Sequence, residues 1–153
     1  MKTSKNSGSK SQSIPLQVAI SLRQGTVYYF QHRDLSSPLS HFFIVISPSP
    51  LKGKTILLSV ITSQVEKVEK FRSDMPNETL VKISVDEYDE LSKISIVDCN
   101  KYFVISLTDL LDKISSNQIE YKKDLPQKHL ELIIKGILAS PMIAKEIKDI
   151  FRK

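Results

Sequence analysis

Apolar and polar positions change their rhythm along this chain. GTVYYF (25–30) is β-branched and aromatic, HFFIVIS (41–47) is a continuous apolar run, and TILLSVI (55–61) is another. These read as strands, and runs apolar on both faces belong in the middle of a sheet. A polar stretch with Pro38 separates the first two (31–40); it is longer than a tight hairpin needs. SPSPLKGK (47–54) separates the next two and reads as a turn, because Pro48, Pro50 and Gly53 all interrupt ladders. TLVKISV (79–85) alternates, with Val81, Ile83 and Val85 inward and Lys82 and Ser84 outward. ISIVDCN (94–100) and YFVISL (102–107) complete the strand candidates. Residues 62–78 are a charged excursion with room for a helical turn, broken by Pro76. The acidic stretch 86–93 predicts one short helix.

Later the period lengthens. Ser106 and Asp109 have the Ser-x-x-Asp spacing that opens a helix, here over 107–115. Leu130, Ile133, Ile134, Ile137 and Leu138 form one apolar helical stripe, and Pro126 suits its first turn. Ser140-Pro141 predicts a second helix that buries Ile143, Ile147, Ile150 and Phe151. Strands followed by helices indicate an α+β fold, a small curled sheet or barrel closed by C-terminal helices.

Composition adds three limits. At 153 residues, 41% hydrophobic and 25% charged, the chain is one ordinary globular domain by its length. Residues 1–13 carry three lysines, no acid and no large apolar residue after Met1, so a disordered basic leader is expected there, with a single domain over 14–153. The net charge of +5 is uneven: 14–121 hold 11 basic and 13 acidic residues, whereas 122–153, the helical extension, hold 8 and 4. This permits a polyanionic partner without demanding one. No apolar run nears the roughly 18 residues of a membrane span, and no signal-like h-region follows the first lysines, so a cytoplasmic protein without membrane contact is expected. Cys99 is the single cysteine and reads as a small buried apolar residue.

The motif inventory excludes much chemistry. There is no Walker loop, GxGxxG, HExxH, EF-hand loop or GxSxG elbow. His32, His41 and His129 are too dispersed to suggest a metal, and no cofactor is implied. A polar cluster remains at strand ends. If 41–47 and 55–61 pair antiparallel through the 47–54 turn, His41 falls near Thr62 and Ser63. An imidazole and hydroxyl donors can act on a phosphodiester. One group takes a proton from a ribose 2′-hydroxyl, one protonates the leaving oxygen, and donors steady the phosphorane. A strand-edge histidine beside two polar residues that merely end a strand is the competing reading.

GTVYYF, HFFIVIS, TILLSVITSQ and ISIVDCNKYFVISLTDLLDKI together resemble, in order and content, the PemK/MazF family of toxin ribonucleases. ITSQ at 61–64 is the best local feature, and the likeness spans roughly residues 23–115. It implies an SH3-like barrel, usually a homodimer, that cleaves single-stranded RNA without a metal and is covered by a cognate antitoxin. Thr62 falls on the family's catalytic threonine, Ser63 and Gln64 on its neighbours, Gly25 on the glycine opening the first strand, and Ser95 on the serine opening a later one.

One departure is chemical. Where the family has arginine before proline, this chain has His41 followed by Phe42. Arginine steadies phosphorane charge with a permanent fork, which a neutral imidazole cannot do. His41 then becomes the acid–base group, or Arg33 or Lys52 supplies charge from a loop, or activity is lost. The expected site is therefore His41, Thr62 and Ser63 for catalysis, with Arg33, Lys52, Gln64, Ser95 and Asn100 toward RNA. Two alternatives stand beside it: a catalytically degenerate barrel that binds nucleic acid or protein, and an interaction protein whose stripe at 130–151 docks on a partner.

Overall fold

The computed structural model describes residues 14–35 and 37–152; the expected leader lies outside them. Three apolar runs form the centre of one sheet: β1 (Val27–Phe30), β2 (His41–Val45) and β3 (Thr55–Thr62). β1 pairs antiparallel with β2, and β2 with β3. Gly25 leads into β1 at φ +99°, in the left-handed region that side chains avoid, and its N–H donates to the Val45 carbonyl at 2.8 Å.

β3 is the branch point. Its Thr55–Leu58 half pairs with β6 (Phe103–Ser106), and its Ile61–Thr62 end pairs with β5 (Ser95–Asp98). β4 (Leu80–Ile83) continues beyond β5, and β7 (Glu120–Lys122) flanks β1. The seven strands run β4-β5-β3-β2-β1-β7 with β6 alongside β3, and no ladder among the described residues joins the two ends. The expected α+β class and curled-sheet arrangement are present.

Both faces of the central strands are covered, which is why their runs are apolar throughout. Val27, Ile44, Ile46, Leu57 and Ile61 face a core completed by β4, β5 and the helix α4 (Gln127–Ala139). Tyr28, Phe30, Phe43, Val45, Ile56, Leu58 and Val60 face a second core closed by α1 (Leu16–Ser21) and α3 (Leu107–Ser115). α3 opens as predicted, with the Ser106 hydroxyl accepting from the Asp109 N–H at 3.0 Å. β4 alternates as its pattern requires, with Val81 and Ile83 buried and Lys82 exposed.

Several expectations change. The stripe of α4 is only partly free: Leu130, Ile133 and Ile137 are core, while Ile134 and Leu138 stay half-buried. α4 lies so close to the 3₁₀ turn Asn77–Thr79 and to β5 that a Cβ on Gly136 would stand 2.7 Å from the Glu78 carbonyl oxygen and 2.8 Å from the Cys99 Sγ. The last helix, α5 (Lys145–Ile150), begins after Ala144 rather than at Pro141. Residues 86–93 form turns, not a helix. The Glu87 carboxylate accepts from the Ser84 N–H and hydroxyl, and the chain then turns to bury Tyr88 and Leu91. α1 and β7 were not expected. They are six and three residues long, too short to show a period.

Candidate active site

The antiparallel β2–β3 ladder ends outward at the pair Phe42↔Ile61. His41 and Thr62 are the next residues on each strand, so the two polar side chains stand beside each other at the open end of the hairpin. Phe42 and Ile61 both pack on the α4-side core. Strand alternation then turns His41 and Thr62 to the opposite face. There they line one open cleft of about 590 Å³ together with Gln64, Lys67, Lys70, Phe71, Asp98 and Lys101.

Hydrogen bonding sets the state of both groups. His41 Nδ1 lies 3.0 Å from the Leu39 carbonyl oxygen. A carbonyl only accepts, so Nδ1 carries the proton, and in the neutral ring Nε2 keeps its lone pair free. The Thr62 hydroxyl oxygen accepts from the Gln64 N–H at 3.2 Å, which leaves its O–H free to donate. An imidazole nitrogen and a hydroxyl thus come from adjacent strand ends.

His32 makes the contrast. It is buried, its Nε2 lies 2.8 Å from the Val104 carbonyl oxygen, and its Nδ1 accepts from the Asp34 N–H at 3.0 Å. Both ring nitrogens are engaged, and the ring packs against Phe30, Phe43 and Phe103. It helps close the core.

The remaining predicted residues scatter. Ser63 is exposed directly after Thr62 but does not line the cleft. Arg33 lines a separate cleft with Asp109, Asp112 and Lys113. Lys52 sits in the turn at the other end of the hairpin; at about 3.3 Å per residue, β3 holds it roughly 20 Å from His41. Ser95 is buried and donates to the Lys93 carbonyl at 3.0 Å. Asn100 is also buried. Its amide donates to Thr79 Oγ1 and Asp98 Oδ1, and its carbonyl oxygen accepts from the Ser140 hydroxyl at 2.7 Å. Those two side chains serve internal hydrogen bonds rather than the cleft. Cys99 is fully buried between them in sequence, and burial pushes its thiol well above the usual range.

The cationic side of the cleft was missed. Lys67, Lys70 and Phe71 belong to α2 (Val65–Phe71), the helix that follows Thr62-Ser63-Gln64. Their i, i+3, i+4 spacing puts them on one face, a signal visible in VEKVEKF. Among the described residues, no ion pair uses Lys67, Lys70 or Lys101. The one carboxylate on the lining, Asp98, is paired with Arg72 Nε at 2.8 Å. Some lysines elsewhere are matched, Lys122 with Glu120, Lys123 with Asp89 and Lys128 with Glu87. Three lysines outside any ion pair among the described residues thus line the cleft where His41 and Thr62 stand.

Comparisons with known proteins bear on the fold. No family model and no curated protein matches this chain. Among solved structures, MazE–MazF from Deinococcus radiodurans is similar at TM-score 0.50 and 13% identity, covering 76% of this chain and 92% of the other. The fold is MazF-like. An endoribonuclease in complex with its cognate antitoxin from a mycobacterial species matches at TM-score 0.48 and 10% identity, over 76% of this chain and 89% of the other. Among the described residues, no helix is long and apolar enough to cross a membrane.

Proposed function

We propose that this protein is a toxin-type endoribonuclease that cleaves single-stranded RNA by 2′-hydroxyl attack, without a metal, within a toxin–antitoxin system. The observation that carries this reading is the free His41 Nε2 beside the free Thr62 O–H in a cleft of unmatched lysines. The MazF-like fold agrees with it.

In this mechanism His41 Nε2 removes the 2′-hydroxyl proton as that oxygen attacks phosphorus. The bond from phosphorus to the 5′-oxygen breaks, and the leaving oxygen takes a proton from solvent in the open cleft. A 2′,3′-cyclic phosphate and a 5′-hydroxyl result. Thr62 donates to a non-bridging oxygen, and the lysines offset the second negative charge that develops there. They take the place of the arginine fork that resemblance to the family would put at position 41. Ser63, exposed next to Thr62, assists by binding the strand. A cognate antitoxin that covers this cleft and a homodimer complete the proposal.

The test is cleavage of a single-stranded RNA in EDTA, with cyclic-phosphate ends on the products. His41→Ala should slow cleavage by about a hundredfold or more, and Thr62→Val by a smaller factor, with thermal stability unchanged. If His41→Ala cleaves like the wild type, the assignment fails. Salt-dependent RNA binding with no cleavage would instead identify a binding module. The position of His41 where the family has arginine favours that second reading.

A further inference from the structure

Phe71 is the most exposed aromatic residue described, 73% accessible, and it sits on the lip of the cleft that holds His41 and Thr62. A phenyl ring so open at the end of a seven-residue helix contributes little to the core. It is nonetheless held in place. The Arg72 guanidinium carbon lies 4.7 Å from the ring centroid. Arg72 is itself buried, with Nε donating to Asp98 at 2.8 Å and Nη1 to the Met142 sulfur at 3.0 Å. A pinned cation supports the ring, and the rest of it remains open to solvent. Lys67, Lys70 and Lys101 line the same cleft.

An open aromatic face among cations is how proteins grip single strands: phosphates meet the lysines, and a base lies on the ring. Leu35, Val60 and Val68 line the cleft too, but three lysines outside any ion pair among the described residues favour a polyanionic strand over an uncharged apolar segment. We propose that Phe71 is the stacking platform for a nucleobase adjoining the scissile phosphate of single-stranded RNA, with Arg72 and Asp98 as its positioning residues. This rests on the RNA-directed reading of the cleft.

The chain contains no tryptophan, so Phe71→Trp introduces a single indole reporter at the proposed contact. Placed in a His41→Ala background that prevents cleavage, it should be quenched by a single-stranded RNA oligonucleotide. An oligonucleotide with abasic sites at the bound positions should not quench it. In the same background, Phe71→Leu should weaken RNA affinity about tenfold or more relative to Phe71, and Phe71→Trp should retain it. Circular dichroism would confirm that both variants are folded. Quenching without any cleavage by the otherwise wild-type chain would uphold the platform and end the ribonuclease proposal. Active cleavage with an indole indifferent to RNA, or a Phe71→Leu variant of unchanged affinity, would overturn the platform alone. Absence of RNA binding by every variant would overturn it as well.

Discussion

Two of the clefts against this sheet differ in what their walls offer. The larger, about 980 Å³, lies against α4 and α5 and is walled chiefly by Leu57, Leu130, Ile134, Leu138, Ile147 and Phe151. The smaller, at the His41–Thr62 end, brings an imidazole, a hydroxyl and three lysines together. Size alone would select the first. Chemistry needs convergent polar groups with a free lone pair or proton, and only the second has a histidine nitrogen left open. The two histidines that follow the first strand repeat the lesson. His32 is buried with both nitrogens used, while His41, nine residues on, keeps one.

The link between the two regions can be broken at Arg72, which reaches from α2 at the cleft to Met142 beside α5. Arg72→Ala strands the buried Asp98 carboxylate and should cost about 3–5 kcal/mol in urea unfolding. It should also weaken RNA binding, since Phe71 loses its support. Unchanged stability would mean that the ion pair is replaceable by water. On the apolar side, Ile133→Ala removes a fully buried side chain of α4 and should destabilise by about 2–5 kcal/mol. Cleavage per folded molecule should stay at the wild-type level, and a loss there would couple the two regions in a way the contrast denies.

The smallest effect concerns pH. The Glu87 carboxyl is held down to about 2, first by the Ser84 N–H and then by its hydroxyl, with His129 and Lys128 adding positive charge. Its folded value lies below the unfolded one. The stability it contributes is therefore present above about pH 4.5 and fades as pH falls toward 2. Glu87→Gln should flatten that part of the acid-unfolding curve while leaving neutral-pH RNA binding alone. A curve that keeps its wild-type slope would assign the acid sensitivity elsewhere.

Much of the frame was legible in the order of residues. HFFIVIS and TILLSVI announce central strands because only a strand covered on both faces needs apolar side chains at every position. Their pairing through 47–54 puts His41 beside Thr62 by counting alone. The Ser106–Asp109 cap and the stripe of α4 are local patterns with local causes. What counting could not supply is which side chains share a cavity. Asn100 and Ser95 look available in sequence, but tertiary packing encloses them. Lys52 looks near and is held at the far end of a rigid hairpin. Lys101, remote from α2 in sequence, joins its lysines because β5 pairs with the last two residues of β3. Local periodicity fixes which face of a strand or helix is buried, whereas the meeting of charges from separate elements depends on how the sheet branches, and no local pattern encodes that branch.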